Sequence, residues 1–207
     1  MRDPIMERAT LAAKRDFDLL PRSAEIAVQP AQRSELGALA HMANRLVPGV
    51  QITEPDLARY YSFDPDSILT FSRNSKLLGA VAFLFLNDRG LDALILDEMS
   101  FTHPDIGLLA GTSEQVSAIY VWAIAGQGRA MAGLGNVATH LSQPRLAPAD
   151  LYAQPSSVDG RNLNIAIGFE PIPSYQRDLW RYQRPWNRVP LNAPTAQPAR
   201  SFADARH

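Results

Sequence analysis

Residues 117–135 carry the most chemically informative pattern in the chain. Positions 117–124 (SAIYVWAI) are rich in β-branched and aromatic residues and predict a strand. The run breaks at Gly126-Gln127-Gly128-Arg129, and positions 130–141 then predict a helix. A strand, a loop of small residues and a helix in that order make an anion site. Small side chains let backbone N–H groups come close to a ligand, and the helix start adds unpaired donors and partial positive charge. Arg129 adds a charge-assisted contact. The chemistry so described is the binding of phosphate or pyrophosphate.

Gly126-x-Gly128 also begins the glycine pattern of a dinucleotide site. The position three beyond Gly128 is Met131 rather than Gly, and no early βαβ unit surrounds the motif. A third reading makes Gly126 and Gly128 a tight turn with no ligand. The second half of the pattern is more specific. Gln127-Gly128-Arg129-Ala130-Met131-Ala132 resembles the Q/R-x-x-G-x-G/A loop of the GNAT (acyl-CoA N-acyltransferase) superfamily, with Ala130 in place of the first Gly. The order of the flanking segments agrees: a helix, a hairpin, the loop, a short strand, then a helix that ends in Gly168-Phe169. The resemblance covers residues 24–182.

The resemblance implies a mixed, mostly antiparallel central sheet flanked by helices, in the α/β (α+β) class. It also implies acetyl-CoA or another acyl-CoA as co-substrate, with no metal. The amides of Gly128, Arg129, Ala130, Met131 and Ala132, with Gln127, would cradle the pyrophosphate. The backbone of Trp122, Ala123 and Ile124 would pair with the pantetheine arm as an added strand. Asn162 and Asn164 fall where the family often carries an Asn near the coenzyme. The implied activity is transfer of an acetyl or other acyl group to an amine. The alternative is a degenerate module that binds coenzyme A, or another phosphate ligand, without turnover.

One departure bears on catalysis. Four residues before the Gly of Gly-Phe, many family members place a Tyr that protonates the leaving thiolate. Here that position is Asn164, whose amide orients a thiol but releases no proton near neutral pH. Tyr152 and Tyr175 are nearby alternatives outside the motif. A general base must accept a proton from an amine near the thioester, directly or through water. Asp97, Glu98, His103 and Glu114 are the candidates. Glu98 is favoured, because it lies in a partly apolar segment.

The elements that must position these residues follow from periodicity. Positions 24–30 alternate and end in Pro30, predicting a strand. Leu36, Leu39, Ala40, Ala43 and Leu46 fall on one helical face. Thr53 caps a second helix with Pro55 in its first turn. Positions 68–72 and 77–86 predict a hairpin about 73–76. Residues 87–114 match neither period and are expected to be an insertion or a variable substrate-side segment, with 91–112 shaping acceptor choice. Further strands are predicted at 150–154, 169–172 and 176–182, and a helix at 159–167.

Composition bounds the rest. The 207 residues include 46% hydrophobic and 20% charged, a globular balance. The working domain is expected over 24–184, between a mixed-charge lead at 1–23 and a Pro-rich, disordered tail at 185–207. There is no cysteine, so neither a disulfide nor a cysteine-bound acyl intermediate can form. A net charge of -1 argues against nucleic acid as a partner. No apolar run reaches the length of a membrane span. Four His with no ligand spacing predict no metal site. His140 reads as a helix-end residue, and Arg177, Arg181, Arg184 and Arg188 read as a solvated basic run. The expectation is a cytoplasmic monomer or homodimer that acts on a small-molecule or protein amine.

Overall fold

The computed structural model describes residues 23–126 and 128–187. The lead, most of the tail and Gln127 lie outside the described residues.

The first helix, α1 (Leu36–Leu46), buries Leu36, Leu39 and Ala40, the apolar face that the spacing predicts. The second, α2 (Glu54–Phe63), starts at a capping box. Thr53 Oγ1 accepts from the Asp56 N–H at 3.3 Å, and the Asp56 carboxylate accepts from the Thr53 N–H at 2.9 Å. Asn74 and Ser75 both take positive φ (50° and 61°). Their left-handed turn closes a tight hairpin between β2 (Ile68–Arg73) and β3 (Lys76–Leu86).

With β1 (Ala27–Pro30), β4 (Ala118–Gly126), β5 (Asp150–Ala153), β6 (Glu170–Pro171) and β7 (Trp180–Tyr182), these strands form one seven-stranded sheet in the order β1-β2-β3-β4-β5-β7-β6. Neighbours are antiparallel except β4 and β5, which are parallel. The fold class is therefore α/β with a mixed, mostly antiparallel sheet. Alternate side chains of β3 and β4 serve opposite layers. Val81, Phe83, Ile119, Val121 and Ile124 pack toward α4 (Leu134–Leu141) and α5 (Val158–Ile167). Leu84, Leu86, Tyr120 and Trp122 pack toward α2 and α3 (Asp88–Ile95). Each Leu or Phe so buried contributes about 1.5–3 kcal/mol.

Three expectations change. The helix expected over 130–141 is a 3-10 turn at Gly128–Gly133 followed by α4. Gly133 lies so close to β1 and β2 that a Cβ would stand 2.9 Å from Ile26 Cγ2 and 3.0 Å from Phe71 Cδ1. Close packing there sets the local backbone. At the other end, regular structure continues past residue 184 to a 3-10 turn at Pro185–Asn187.

Arg184 is not solvated but fully buried. Its backbone N–H donates to Asp150 at 2.8 Å, and its guanidinium donates to the carbonyls of Ala149 and Leu141, each at 3.2 Å. Arg181 also pairs with Asp150, Arg177 is exposed, and Arg188 lies outside the described residues. Among the described residues no helix is long and apolar enough to cross a membrane, and no group of three or more His, Asp or Glu is placed to hold a metal ion.

Candidate functional site

The site is built by a strand pair that parts. The β4–β5 ladder runs from Ala118–Asp150 to Val121–Ala153 and stops. Pro155 follows on the β5 side and brings no N–H to a ladder. Ser157 then caps α5 by accepting from the Gly160 N–H at 3.0 Å. β4 runs on to Gly126, paired with β3 alone. Among the described residues its other edge beyond Val121 therefore faces no strand, and a gap opens in the middle of the sheet.

A bulge re-aims the side chains at that point. Val121 faces Phe83 and Ala123 faces Ala82, which leaves Trp122 as the extra residue. Consecutive residues Trp122 and Ala123 consequently line the same cleft on the α1–α2 face. The cleft holds about 420 Å³. Its floor is four alanines at alternate positions, Ala80 and Ala82 on β3 and Ala123 and Ala125 on β4. Their short side chains leave the space that larger residues would fill. One wall comes from α1 and the loop before α2, and the opposite rim carries Gln154 and Ser156.

The insertion supplies a further wall through Phe101 and Thr102. Phe101 stacks on Tyr120 with ring centroids 4.6 Å apart, and its carbonyl accepts from Trp122 Nε1 at 2.9 Å. Trp122 in turn meets Tyr60 edge-on at 5.1 Å. The insertion is tied down at its base: Asn87 caps α3 through the Gly90 N–H, and its amide donates to the carbonyls of Gly107 and Leu109. It therefore lies against the cleft rather than looping into solvent.

Among the described residues no Asp, Glu, His, Lys or Arg lines this cleft. The one titratable group among the described lining residues is the Tyr120 phenol, which burial holds far above its ordinary pKa. Tyr152 is buried in the same layer and also shifted upward by burial, whereas Tyr175 is exposed.

On the opposite face a smaller cavity of about 50 Å³ meets the same stretch of sheet. Val121, Ile124 and Leu151 line it from the strands, Ile167 and Asn164 from α5. Asn164 is only 7% exposed, yet its side-chain N–H2 finds no acceptor. Buried donors are almost always paired, and this one lies at the lining of the cavity.

The predicted residues fall in different places. Trp122, Ala123, Ile124 and Asn164 converge on the parted strands. In the loop, Gly128 and Arg129 are exposed, Ala130 is buried, and Met131 and Ala132 are half-buried. Gly128 has φ +57°, and a Cβ there would meet nothing within 4 Å, so that side of the loop is open. Gln127 lies outside the described residues. Asn162 is exposed and lines neither cavity.

Glu98 is exposed on the turn after α3, with its N–H donating to the Ala93 carbonyl at 2.9 Å, and it does not line the cleft. Asp97 and His103 are exposed as well, and Glu114 accepts from the Gly111 N–H. Sequence reasoning missed Tyr120 and the alanine floor. The alternate alanines of β3 and β4 were the available signal.

No family model matches the chain, and no curated protein matches it by sequence. Solved structures do match by shape. yncA of Salmonella typhimurium, a candidate acetyltransferase seen with its cofactor acetyl-CoA, is 11% identical with a TM-score of 0.50. That match covers 77% of this chain and 94% of the other. The loading GNATL domain of CurA from Lyngbya majuscula is 12% identical with a TM-score of 0.53, covering 76% and 97%. At such identities the likeness is one of fold: the chain has the GNAT fold.

Proposed function

We propose that this GNAT-fold chain is an acyl-CoA-dependent N-acyltransferase that passes an acyl group directly from the thioester to an amine. The observation that carries the reading is the gap beyond Val121 and Ala153, which has an unpaired strand edge and a cavity on each face. A narrow arm with amide groups fits such an edge as an added strand would. The phosphates would meet the open loop at Gly128 and the exposed Arg129. Acyl-CoA supplies an activated carbonyl carbon.

The residues here bind and orient. The edge of β4 from Trp122 to Ala125 holds the arm in register. Asn164 donates from the α5 side to the thioester oxygen or the departing sulfur, and meets its missing partner in doing so. The cleft holds the amine. The amine nitrogen bonds to the carbonyl carbon, the carbon–sulfur bond breaks, and the proton lost by nitrogen ends on the thiol. Positioning of this kind accounts for large rate gains without a dedicated acid. With no cysteine in the chain, transfer has no thioester relay.

A second reading rests on the amide at Asn164 and on a cleft lined, among the described residues, by no carboxylate or imidazole: a module that binds coenzyme A without turnover. Thermal unfolding with acetyl-CoA, followed by thiol release over an amine panel, separates the two. Saturation at 100 times Kd raises stability by about 2.7 kcal/mol. Binding with amine-dependent thiol release supports the transferase. Binding without release supports the module, and the absence of both binding and release overturns both.

A further inference from the structure

Resting on the acyl-transfer reading, we infer that the cleft over the alanine floor takes an uncharged, largely apolar acceptor, and that its chemical class is a weakly basic aromatic amine. Polyamines and lysine side chains are excluded by the same features.

Three observations carry this. First, the charge inventory is empty: no acidic or basic side chain among the described residues lines the cleft. Asp56, next in sequence to the lining residue Leu57, is already committed to the Thr53 N–H at 2.9 Å and the Thr53 hydroxyl at 2.6 Å. An ammonium entering the cleft would shed part of its water and meet no counter-charge among the described residues, which favours the neutral form. Second, the neutral groups are of two kinds. Trp122, Phe101 and Tyr120 present aromatic surface, and Gln51, Thr102, Gln154 and Ser156 offer uncharged hydrogen-bonding groups. That set matches a ring with an amino group and nothing more polar. Third, the proton balance closes without a base. A neutral amine has two N–H bonds; on acylation it loses one proton, and the leaving thiolate takes one. An alkylammonium must first shed an additional proton, and no lining residue among those described is a base for it.

The volume of about 420 Å³ admits one or two fused rings beside the acyl group. Aryl amines are neutral at physiological pH because the ring delocalises the nitrogen lone pair. They bring to the cleft the protonation state that it selects.

The test uses the full chain and three probes at pH 7.5: naphthylamine, decylamine and spermidine. Binding is measured calorimetrically with and without acetyl-CoA, and thiol release is followed in parallel. Naphthylamine is expected to bind at least ten-fold more tightly than decylamine, and spermidine to give no heat. Ala82→Leu, which fills the floor, is expected to weaken naphthylamine about ten-fold, and Ala82→Gly to retain it. Stronger binding of decylamine or spermidine, or naphthylamine binding indifferent to Ala82→Leu, overturns the inference. Thiol release that is fastest with spermidine would leave the transferase reading standing and remove this one. Naphthylamine binding that Ala82→Leu weakens, in a chain that ignores acetyl-CoA, would do the reverse.

Discussion

Among the described residues the Asn164 side-chain amide meets no acceptor despite near-complete burial. An unsatisfied buried donor costs about 1–3 kcal/mol. Natural structures retain such a group where something else benefits. Asn164→Leu is therefore expected to leave the melting temperature unchanged or raise it. It should also lower kcat/KM for acyl-CoA by about ten-fold, the equivalent of one hydrogen bond of roughly 1.4 kcal/mol. A drop in both stability and turnover would make Asn164 merely structural. His140 offers a second residue-scale check. Desolvation holds its imidazole below the ordinary value of about 6.5, against the opposing pull of Asp66 and Asp64. The folded state then binds fewer protons than the unfolded chain below that value. Stability is full above pH 6.5 and declines as pH falls beneath it. Urea titrations of His140→Gln should show a flatter dependence between pH 7 and 5. Asn164 was legible from its place before Gly168-Phe169. The placement of Glu98 was not, because an apolar segment does not reveal which way each side chain points. Here α3 and its turn send Ala93, Leu94 and Met99 inward and leave Glu98 in water.

At the scale of elements, the insertion between β3 and β4 acts as a wall, and its attachment depends on one close approach. A Cβ on Gly90 would collide with the Leu108 carbonyl oxygen, so α3 lies directly against the returning chain. Gly90→Ala should lower stability by about 1–3 kcal/mol in chemical denaturation. It should also raise KM for the acceptor more than for acyl-CoA, because Phe101 and Thr102 line only the cleft. The strands and helices were largely readable from periods of two and 3.6 residues, as with Leu36, Leu39 and Ala40 on α1. The break at Gly133 was hidden, since it follows from contact with Ile26 and Phe71, residues more than sixty positions earlier. The bulge at Trp122 was hidden too. Register is a property of two strands, and one run of β-formers carries no trace of the partner's spacing.

For the whole molecule, the sheet closes on a buried ionic hub. Asp150 accepts from Arg181, from the Arg184 backbone and from the Asn187 side chain at 2.7 Å. Asp150 begins β5, so the hub also fixes the strand that must part from β4. Asp150→Ala removes the acceptor shared by the partly exposed Arg181 guanidinium, the Arg184 N–H and the Asn187 amide, and should cost about 1–3 kcal/mol in urea denaturation. A loss under 1 kcal/mol would show that packing alone holds the edge. The order of elements and the sheet class were legible in the chain. The burial of Arg184 was not: an Arg beside Pro185 in a run of arginines resembles a solvated tail until the acceptors at Leu141 and Ala149 are brought to it. The central claim is that the parted strands receive the arm of acyl-CoA. Hydrogen–deuterium exchange with and without acetyl-CoA tests it most directly. Protection is predicted in the β4 segment beyond Val121 and in the Gly128–Gly133 turn, with β1 and β7 unchanged. No change in β4 on saturation with acetyl-CoA, or protection confined to other strands, would contradict it.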